Sequence, residues 1–302
     1  MSRLRVAVAQ FELRAEPSFD AFRAHVAEVV DEAVNRGAEL VVLPELVTTG
    51  LLATVTDHVP VAASVAQDYR TVFPSFTDDL VEAYRSLATS RQITIAGGSH
   101  YRLAADGSLR NTCFLVHADG SVEEQDKLHL TPPEHQLGAT GGDDVLITRI
   151  GPFTAAVQIC ADIEFPEIAR HLVGQGVDLI LCPSLTWNRR GMHRVRLGAH
   201  ARAMENQLYV LGSPLISSSG LPADAPMHGT GRAFVTAPVD RVHGVNDGLL
   251  AVSESATEDV LVVDLDRELL ERTRAEPEVP GLKLRRLDLY DRLSVRGPGV
   301  TA

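Results

Sequence analysis

The fold is decided by three consecutive stretches: LRVAVA at Leu4–Ala9, FDAFRAHVAEVVDEAVNR at Phe19–Arg36 and LVVL at Leu40–Leu43. The first and third are short apolar runs typical of strands, whereas the second repeats apolar residues at helical spacing. Gly37 directly follows the helical stretch and supplies its stop signal. The chain is therefore predicted to open with a strand, a helix and a second strand.

The same alternation continues further along the chain. Helices are expected at 78–90 and 165–173, and strands at 93–96, 112–117, 121–126, 145–150, 154–159 and 179–182. Most of these strands are continuous apolar runs, which indicates burial on both faces. The sequence thus predicts a layered α/β architecture.

Neither an internal repeat nor a Pro/Ser-rich linker divides the chain. We therefore expect one domain over residues 1–275. Residues 276–302 show little periodicity and are expected to form a tail on the surface or on a partner subunit.

Composition limits the partners and the compartment. The 302 residues include 40 acidic and 28 basic side chains, for a net charge of −12. Such a chain gains little from counterion release, so neither nucleic acid nor a membrane is an expected partner. Three cysteines without a CxxC pair argue against a disulfide framework and favour the cytoplasm. No signal-peptide core and no apolar run of about 18 residues occurs, so neither export nor a membrane span is expected.

Common site motifs are absent from the sequence. It contains no GxxxxGK, no convincing strand-GxGxxG-helix, no GxSxG and no HExxH. His129, Glu134 and His135 lack a recognised ligand spacing, so no metal site is predicted.

Cys160 closes the apolar run 154–159 and precedes Pro166, a residue favoured at the first position of a helix. It is therefore predicted at a strand-to-helix turn. Backbone N–H groups and the positive end of a helix dipole would there favour a thiolate and an oxyanion. The alternative is a small buried hydrophobic side chain, a common role of free cysteine.

Two charged residues also follow predicted strands. Glu45 comes after Leu40–Leu43 and Pro44, at the carboxyl end of a strand, where open α/β sheets place their ligand sites. An apolar setting should raise the pKa of its carboxyl group, which suits a base working near neutrality. Lys127 lies at the end of another predicted strand, 121–126. Alternatively, Glu45 caps a loop in solvent and Lys127 is solvated, as most lysines are.

Taken together, three ordered blocks are more specific than any single residue. They are Leu43-Pro44-Glu45, DKLHL at Asp126–Leu130 and ICADIEFPE at Ile159–Glu167. These blocks resemble the signatures of the nitrilase, or carbon-nitrogen hydrolase, superfamily, and the likeness extends over essentially the whole chain.

The resemblance implies an α/β fold of four layers, an α-β-β-α sandwich in which two mixed β-sheets are flanked by helices. Members are usually dimers or larger homo-oligomers. The resemblance further implies a triad of Glu45 as general base, Lys127 as the cation beside the oxyanion and Cys160 as nucleophile. Glu134 matches the auxiliary glutamate that orients the lysine and the substrate, with a solvated Glu134 as the alternative.

Such a triad suits amide hydrolysis. A carboxamide is a poor electrophile, so its cleavage needs a strong nucleophile, a charge to receive the oxyanion and an acid for the departing amine. The expected route passes through a Cys160 thioester and requires neither a metal nor an organic cofactor. The expected substrate is a small linear amide. Nitrile hydrolysis, N-acyl transfer, a noncatalytic binding role and a zinc hydrolase are the alternatives.

Substrate contacts are predicted from two segments. The nucleophile is followed by Ala161-Asp162 rather than by the Trp-Glu of enzymes that act on nitriles, and the small Ala161 is expected to open the pocket. Trp187, Asn188 and Arg194 lie where the resembling family places pocket residues. Trp187 could instead pack in the core. The arginines between 189 and 196 could hold a substrate carboxylate, although solvation or pairing with acidic groups is the commoner role of such clusters.

Overall fold

Strands and helices alternate along most of the computed structural model, which describes residues 2–60, 64–219, 229–290 and 292. The strands are β1 Arg3–Arg14, β2 Leu40–Val42, β3 Thr94–Leu103, β4 Leu109–Val116, β5 Val122–Asp126, β6 Ile147–Ile150, β7 Phe153–Val157, β8 Leu179–Leu185, β9 Tyr209–Ser219, β10 Phe234–Thr236, β11 Leu249–Val252 and β12 Asp259–Asp266. The helices are α1 Phe19–Asn35, α2 Val65–Thr71, α3 Thr77–Arg91, α4 Pro132–Gln136, α5 Pro166–Gly174, α6 Arg189–Asn206, α7 Arg267–Ala275 and α8 Leu287–Tyr290. The predicted alternation of helices and strands is confirmed.

The strands form one continuous mixed sheet in the order β5-β4-β3-β2-β1-β9-β8-β7-β6. The resemblance implied two mixed β-sheets, and β1 accounts for the single connected sheet. This strand is longer than the predicted Leu4–Ala9: residues 3–10 pair with β12 and residues 6–8 with β2, whereas residues 11–14 pair with β9. One long strand therefore joins the two halves of the sheet.

The core explains why the strand sequences show little alternation. Val6 and Val8 of β1 pack in one buried cluster with residues of β7, β8 and β9, whereas Ala7 and Ala9 face a second cluster that includes α1 and α3. Both faces of β1 are thus covered by apolar side chains, as the continuous apolar run predicted.

Helix α1 begins at a local capping signal. Ser18 accepts a hydrogen bond from the Ala21 backbone N–H at its side chain, and Phe22, Val26 and Val30 bury the inner face. The helix bounds agree with the prediction from apolar spacing to within one residue.

Strand direction brings several loops to one edge of the sheet. Strands β1, β2 and β3 run parallel, and β7, β8 and the end of β1 run parallel with β9. Strand β5 is antiparallel to β4, which is antiparallel to β3, so β5 has the direction of β3. The carboxyl ends of β2, β5, β7 and β8 therefore open toward the same region, where ligand sites of α/β sheets lie.

The carboxyl-terminal segment begins after α7. Among its described residues, Val279, Leu284, Leu287 and Tyr290 are large apolar side chains exposed at the surface. Residues 293–302 of the expected tail lie outside the described residues. No helix in the described part of the chain is long and apolar enough to cross a membrane.

A buried histidine connects α1 to the strand β12. His25 Nδ1 lies 2.9 Å from Glu16 Oε1, and His25 Nε2 lies 2.6 Å from Glu258 Oε2. Burial lowers the pKa of His25, but its hydrogen bonds to the two carboxylates outweigh burial and the net pKa is raised. The same contacts hold the pKa of Glu258 below its usual range, against the effect of burial.

We predict that His25→Gln lowers the free energy of unfolding by about 2 kcal/mol at pH 6, because a charged hydrogen-bonded group is lost. A raised folded-state pKa stabilises the protein fully below the unfolded value of about 6.5, and this stabilisation is lost as the pH rises through the folded value. The difference between variant and parent should therefore shrink above pH 6.5. Urea titrations across this range, with exposed His171→Gln as control, measure it; a difference that stays constant or grows with pH would contradict the assignment.

Candidate active site

Glu45 sits in a rigid loop after β2. The Ser99 backbone N–H donates to the Pro44 carbonyl oxygen over 3.1 Å, and the Leu46 backbone N–H donates to Ser99 Oγ over 3.0 Å. Gly98 has a φ of +67°, and a Cβ there would overlap the Pro44 carbonyl. This close approach requires glycine, and it fixes the direction of the Glu45 carboxylate.

Lys127 is buried between two carboxylates. Its Nζ lies 2.6 Å from Glu45 Oε1 and 2.8 and 3.0 Å from the two oxygens of Glu134. Only 1% of Lys127 is exposed. A buried ammonium is tolerated when it is paired and hydrogen-bonded, and here both conditions are met. The sequence-based alternative of a solvated Lys127 is wrong.

Glu134 is fixed by the start of helix α4. The Thr131 backbone N–H and hydroxyl donate to Glu134 Oε2 over 2.8 and 2.7 Å. This is the reciprocal capping arrangement of a helix amino terminus, and it is followed by Pro132 and Pro133 in the first turn. Glu134 is buried, so the solvated alternative is also wrong.

Asn111 joins the two carboxylates from the other side. Its Nδ2 donates to Glu45 Oε1 over 3.1 Å and to Glu134 Oε1 over 2.9 Å. The backbone carbonyl oxygen of Asn111 accepts a hydrogen bond from the Lys127 backbone N–H over 2.8 Å. The amide nitrogen and the ammonium of Lys127 therefore bridge the same two oxygens, and the four groups form a closed ring.

Cys160 begins a single 3₁₀ turn, Cys160–Glu164, after β7. Its φ of +51° turns the backbone sharply. The thiol Sγ lies 3.6 Å from the Leu185 carbonyl oxygen, while the Leu185 backbone N–H donates to Glu45 Oε2 over 2.9 Å. The Glu45 carboxylate and the Lys127 ammonium both interact electrostatically with this thiol. The backbone N–H and carbonyl groups of Leu185, at the end of β8, thus contact the carboxylate and the sulfur respectively.

Asp162 connects the nucleophile loop to the end of β5. This buried carboxylate accepts from the backbone N–H groups of Leu128 and His129 over 3.2 and 2.7 Å, and from that of Ile159 over 3.2 Å. Burial raises the pKa of Asp162, although these hydrogen bonds act in the opposite direction. Asp162 therefore ties the chain beside Lys127 to the chain before Cys160.

Burial and charge divide the roles of the two glutamates. Burial raises the pKa of Glu45, and Glu134 raises it further, although Lys127 lowers it. For Glu134 burial also acts upward, but the Lys127 ammonium and the Thr131 and Asn111 hydrogen bonds outweigh it, so its pKa is lowered. The raised pKa predicted for Glu45 is confirmed in direction. Glu134 keeps its charge, and Glu45 is the group suited to exchange a proton.

The expectation of a stabilised thiolate at Cys160 is wrong. Burial raises the pKa of the Cys160 thiol well above its usual value, and the Glu45 carboxylate raises it further, although Lys127 acts in the opposite direction. Helix α5 begins only at Pro166, so its amino terminus lies too far along the chain from Cys160 to place the helix dipole at the sulfur. Cys160 is therefore held as a neutral thiol.

These groups lie at the floor of a cleft of about 500 Å³, within the usual range for small-molecule sites. Ala161, Trp187, Asn188 and Arg194, the predicted substrate contacts, all line this cleft. Trp187 is 47% exposed and forms part of the wall, so the alternative of a core indole is wrong.

Two of the four predicted contact residues are already held by other protein groups. The Asn188 side chain accepts a hydrogen bond from the Gly191 backbone N–H and caps α6. Arg194 Nε lies 3.3 Å from Glu164, so this arginine is paired with an acidic group. Arg196 lies over the Phe234 ring at 5.9 Å, outside the cleft lining.

The described residues contain no cluster of three or more side chains arranged to hold a metal ion.

The arrangement combines a buried thiol, a proton acceptor and a fixed cation at the end of a curled mixed sheet. Residues 5–275 match the family model described as carbon-nitrogen hydrolase. The chain belongs to the carbon-nitrogen hydrolase family. The resemblance drawn from the three sequence blocks is thereby confirmed.

Relatives extend this assignment. The chain is 34% identical over 289 residues to the probable hydrolase YhcX of Bacillus subtilis, covering 95% of this chain and 54% of that protein. This carbon-nitrogen hydrolase thus spans about half the length of the Bacillus relative. It is 29% identical to the chloroplastic omega-amidase of Arabidopsis thaliana, over 90% of this chain and 70% of the relative.

Solved structures show the same fold. Nit3 of Saccharomyces cerevisiae, a member of the nitrilase superfamily, has a TM-score of 0.73 at 22% identity, over 94% of this chain and 97% of that chain. An amidase from Nesterenkonia sp. AN1, in which acrylamide has added to the active-site cysteine, has a TM-score of 0.71 at 22% identity, over 90% and 97% of the two chains.

Sequence patterns did not single out Asn111 or the bridging role of Asp162. Asn111 lies in the otherwise largely apolar strand β4, and a buried amide in such a strand is the signal that could have found it. Its partners follow only from the register that places the Lys127 N–H opposite the Asn111 carbonyl.

We predict that Asn111→Leu lowers kcat/KM by about tenfold to a hundredfold, since hydrogen bonds to charged groups contribute about 1.5–3 kcal/mol. The loss also favours the protonated form of Glu45, so the acidic limb of the kcat/KM profile should move to higher pH. Asn206→Leu is the control, because Asn206 is equally buried but bonds only within α6. It should lower the Tm without moving the profile; equal profiles for the parent and Asn111→Leu would contradict this positioning role.

Proposed function

We propose that this carbon-nitrogen hydrolase is an amidase that releases ammonia or an amine from a small linear amide through a thioester on Cys160. The observation that carries the proposal is the convergence of the Cys160 thiol, the Glu45 carboxylate and the Lys127 ammonium at the floor of an open cleft. Relatives named omega-amidase and amidase support an amide as the substrate class.

In the first step, Glu45 takes the proton of Cys160 as the sulfur attacks the amide carbonyl carbon. The raised pKa of Glu45 suits this proton transfer near neutral pH, and the raised pKa of the thiol makes a base necessary. The carbonyl oxygen gains negative charge, which the Lys127 ammonium and the Ala161 backbone N–H are proposed to stabilise. Burial lowers the pKa of Lys127, but the surrounding carboxylates outweigh burial and raise the pKa overall, so Lys127 remains protonated.

In the second step, the tetrahedral intermediate collapses. Glu45 gives the proton to the nitrogen, the C–N bond breaks, and ammonia or an amine leaves a Cys160 thioester. A water molecule then attacks the thioester while Glu45 accepts its proton. The C–S bond breaks, the proton returns to sulfur and the carboxylic acid is released. Glu134 keeps its charge throughout and orients Lys127.

We also propose that the halves of the sheet face each other as the inner layers of a four-layer α-β-β-α sandwich. Leu115 of β4 and Leu181 of β8 belong to one buried cluster, which supports this arrangement. Residues 1–275 are proposed as the hydrolase domain and 276–302 as a tail, supported by the family match over 5–275. A cytoplasmic location is proposed from the cysteine pattern, and a homodimer or larger homo-oligomer from the family resemblance, with a small-molecule amide as the substrate.

We predict that Cys160→Ala lowers ammonia release from an amide substrate by at least about a thousandfold, because nucleophile and base act as a unit. Intact-mass analysis of the parent enzyme quenched during turnover should show one acyl group, and the variant should show none. Cys113→Ala, a buried thiol outside the cleft, is the matched control and should still be acylated. An acylated Cys160→Ala protein would overturn the thioester assignment.

A further inference from the structure

One wall of the cleft is apolar. It is formed by Leu46, Val65, Ala66, Tyr69, Tyr101 and Leu137. The Tyr69 and Tyr101 rings lie 5.4 Å apart, and the Arg70 Nη1 donates to the Leu137 carbonyl oxygen over 3.3 Å. Helix α2 is thus fixed against both β3 and the segment that follows α4. This wall is a packed surface that removes water from an apolar group placed against it.

Each cation in the lining of the cleft has an acidic partner. Among the described residues, three carboxylates line it, those of Glu45, Glu134 and Glu164, and two cations, Lys127 and Arg194. Lys127 is held by Glu45 and Glu134, and Arg194 is paired with Glu164. Thr131, Gln136, Thr186 and Asn188 add neutral polar groups to the lining. A substrate carboxylate in this cleft would therefore have no unpaired cation as partner, and acidic groups would outnumber basic ones around it.

We propose that the enzyme selects uncharged amides with an apolar acyl group of butyryl size or longer, and discriminates against amides that carry a free carboxylate. This inference rests on the proposed amidase function and specifies its substrate class. The acyl chain lies against the apolar wall while the amide carbonyl lies over Cys160. Each added methylene is removed from water, and no charge needs to be desolvated.

The test compares pentanamide with glutaramate, in which the terminal methyl group is replaced by a carboxylate. For the parent enzyme, kcat/KM should rise about fourfold for each methylene from propionamide to pentanamide. Glutaramate should be at least tenfold poorer than pentanamide. A glutaramate kcat/KM equal to or above that of pentanamide would overturn the inference.

Binding is measured separately from turnover. Trp187 is the only tryptophan and lies in the cleft wall, so its fluorescence should report occupancy in the Cys160→Ala protein. Pentanamide should bind at least tenfold more tightly than glutaramate. If the Cys160→Ala protein binds pentanamide more tightly than glutaramate but the parent enzyme releases no ammonia from pentanamide, the proposed function fails. The inference about the cleft then stands. Equal binding, or tighter binding of glutaramate, overturns the inference itself.

A gain of function gives the sharpest control. Ala66→Arg places a cation in the apolar wall, and it should narrow the preference for pentanamide over glutaramate by at least tenfold. Gln67→Arg adds the same charge at the next position of α2, which is exposed and outside the cleft lining. It should leave the preference unchanged. An equal change in both variants would show a general effect of net charge and would contradict the role of this wall.

Discussion

The structure depends on one ammonium group buried between two carboxylates. Removing such charges from water costs several kcal/mol for each ion, and the cost is offset only when every charge has a close partner of the opposite sign. Lys127 meets that condition because Glu45 and Glu134 lie 2.6 and 2.8 Å from its Nζ. Without the lysine the two carboxylates would repel each other. Without the carboxylates the ammonium would be a buried charge with no partner of opposite sign.

The fold supplies the rigidity that this arrangement needs. Glu45 and Lys127 follow the ends of two strands, and Glu134 lies in the short helix α4. Hydrogen bonds with the backbone fix each of them: the Leu185 N–H holds Glu45, the Thr131 N–H holds Glu134, and the Asp162 carboxylate holds the Leu128 N–H beside Lys127. Preorganised groups of this kind need little rearrangement when charge develops on a substrate. Burial raises the pKa of the Cys160 thiol and so keeps the proton on the sulfur.

Local patterns in the sequence predict much of this arrangement. Glu45 and Cys160 were placed at strand ends by apolar runs, and the resemblance to a family linked them to Lys127. The extension of β1 could not be predicted, because a strand buried on both faces shows no alternation to mark where its pairing changes. The role of Asn111 could not be predicted, because its contacts depend on the register between neighbouring strands. The raised pKa of Cys160 was missed because it depends on burial, which no local motif encodes.

The central claim is that Lys127 stabilises the fold by pairing with both carboxylates at once. A double-mutant cycle with Lys127→Met and Glu134→Gln, measured by urea unfolding at pH 7, tests it most directly. Lys127→Met alone should cost about 3–5 kcal/mol, because it leaves two buried carboxylates unpaired. Adding Glu134→Gln should restore part of that loss. A Lys127→Met protein as stable as the parent, or strictly additive effects in the double variant, would contradict the account.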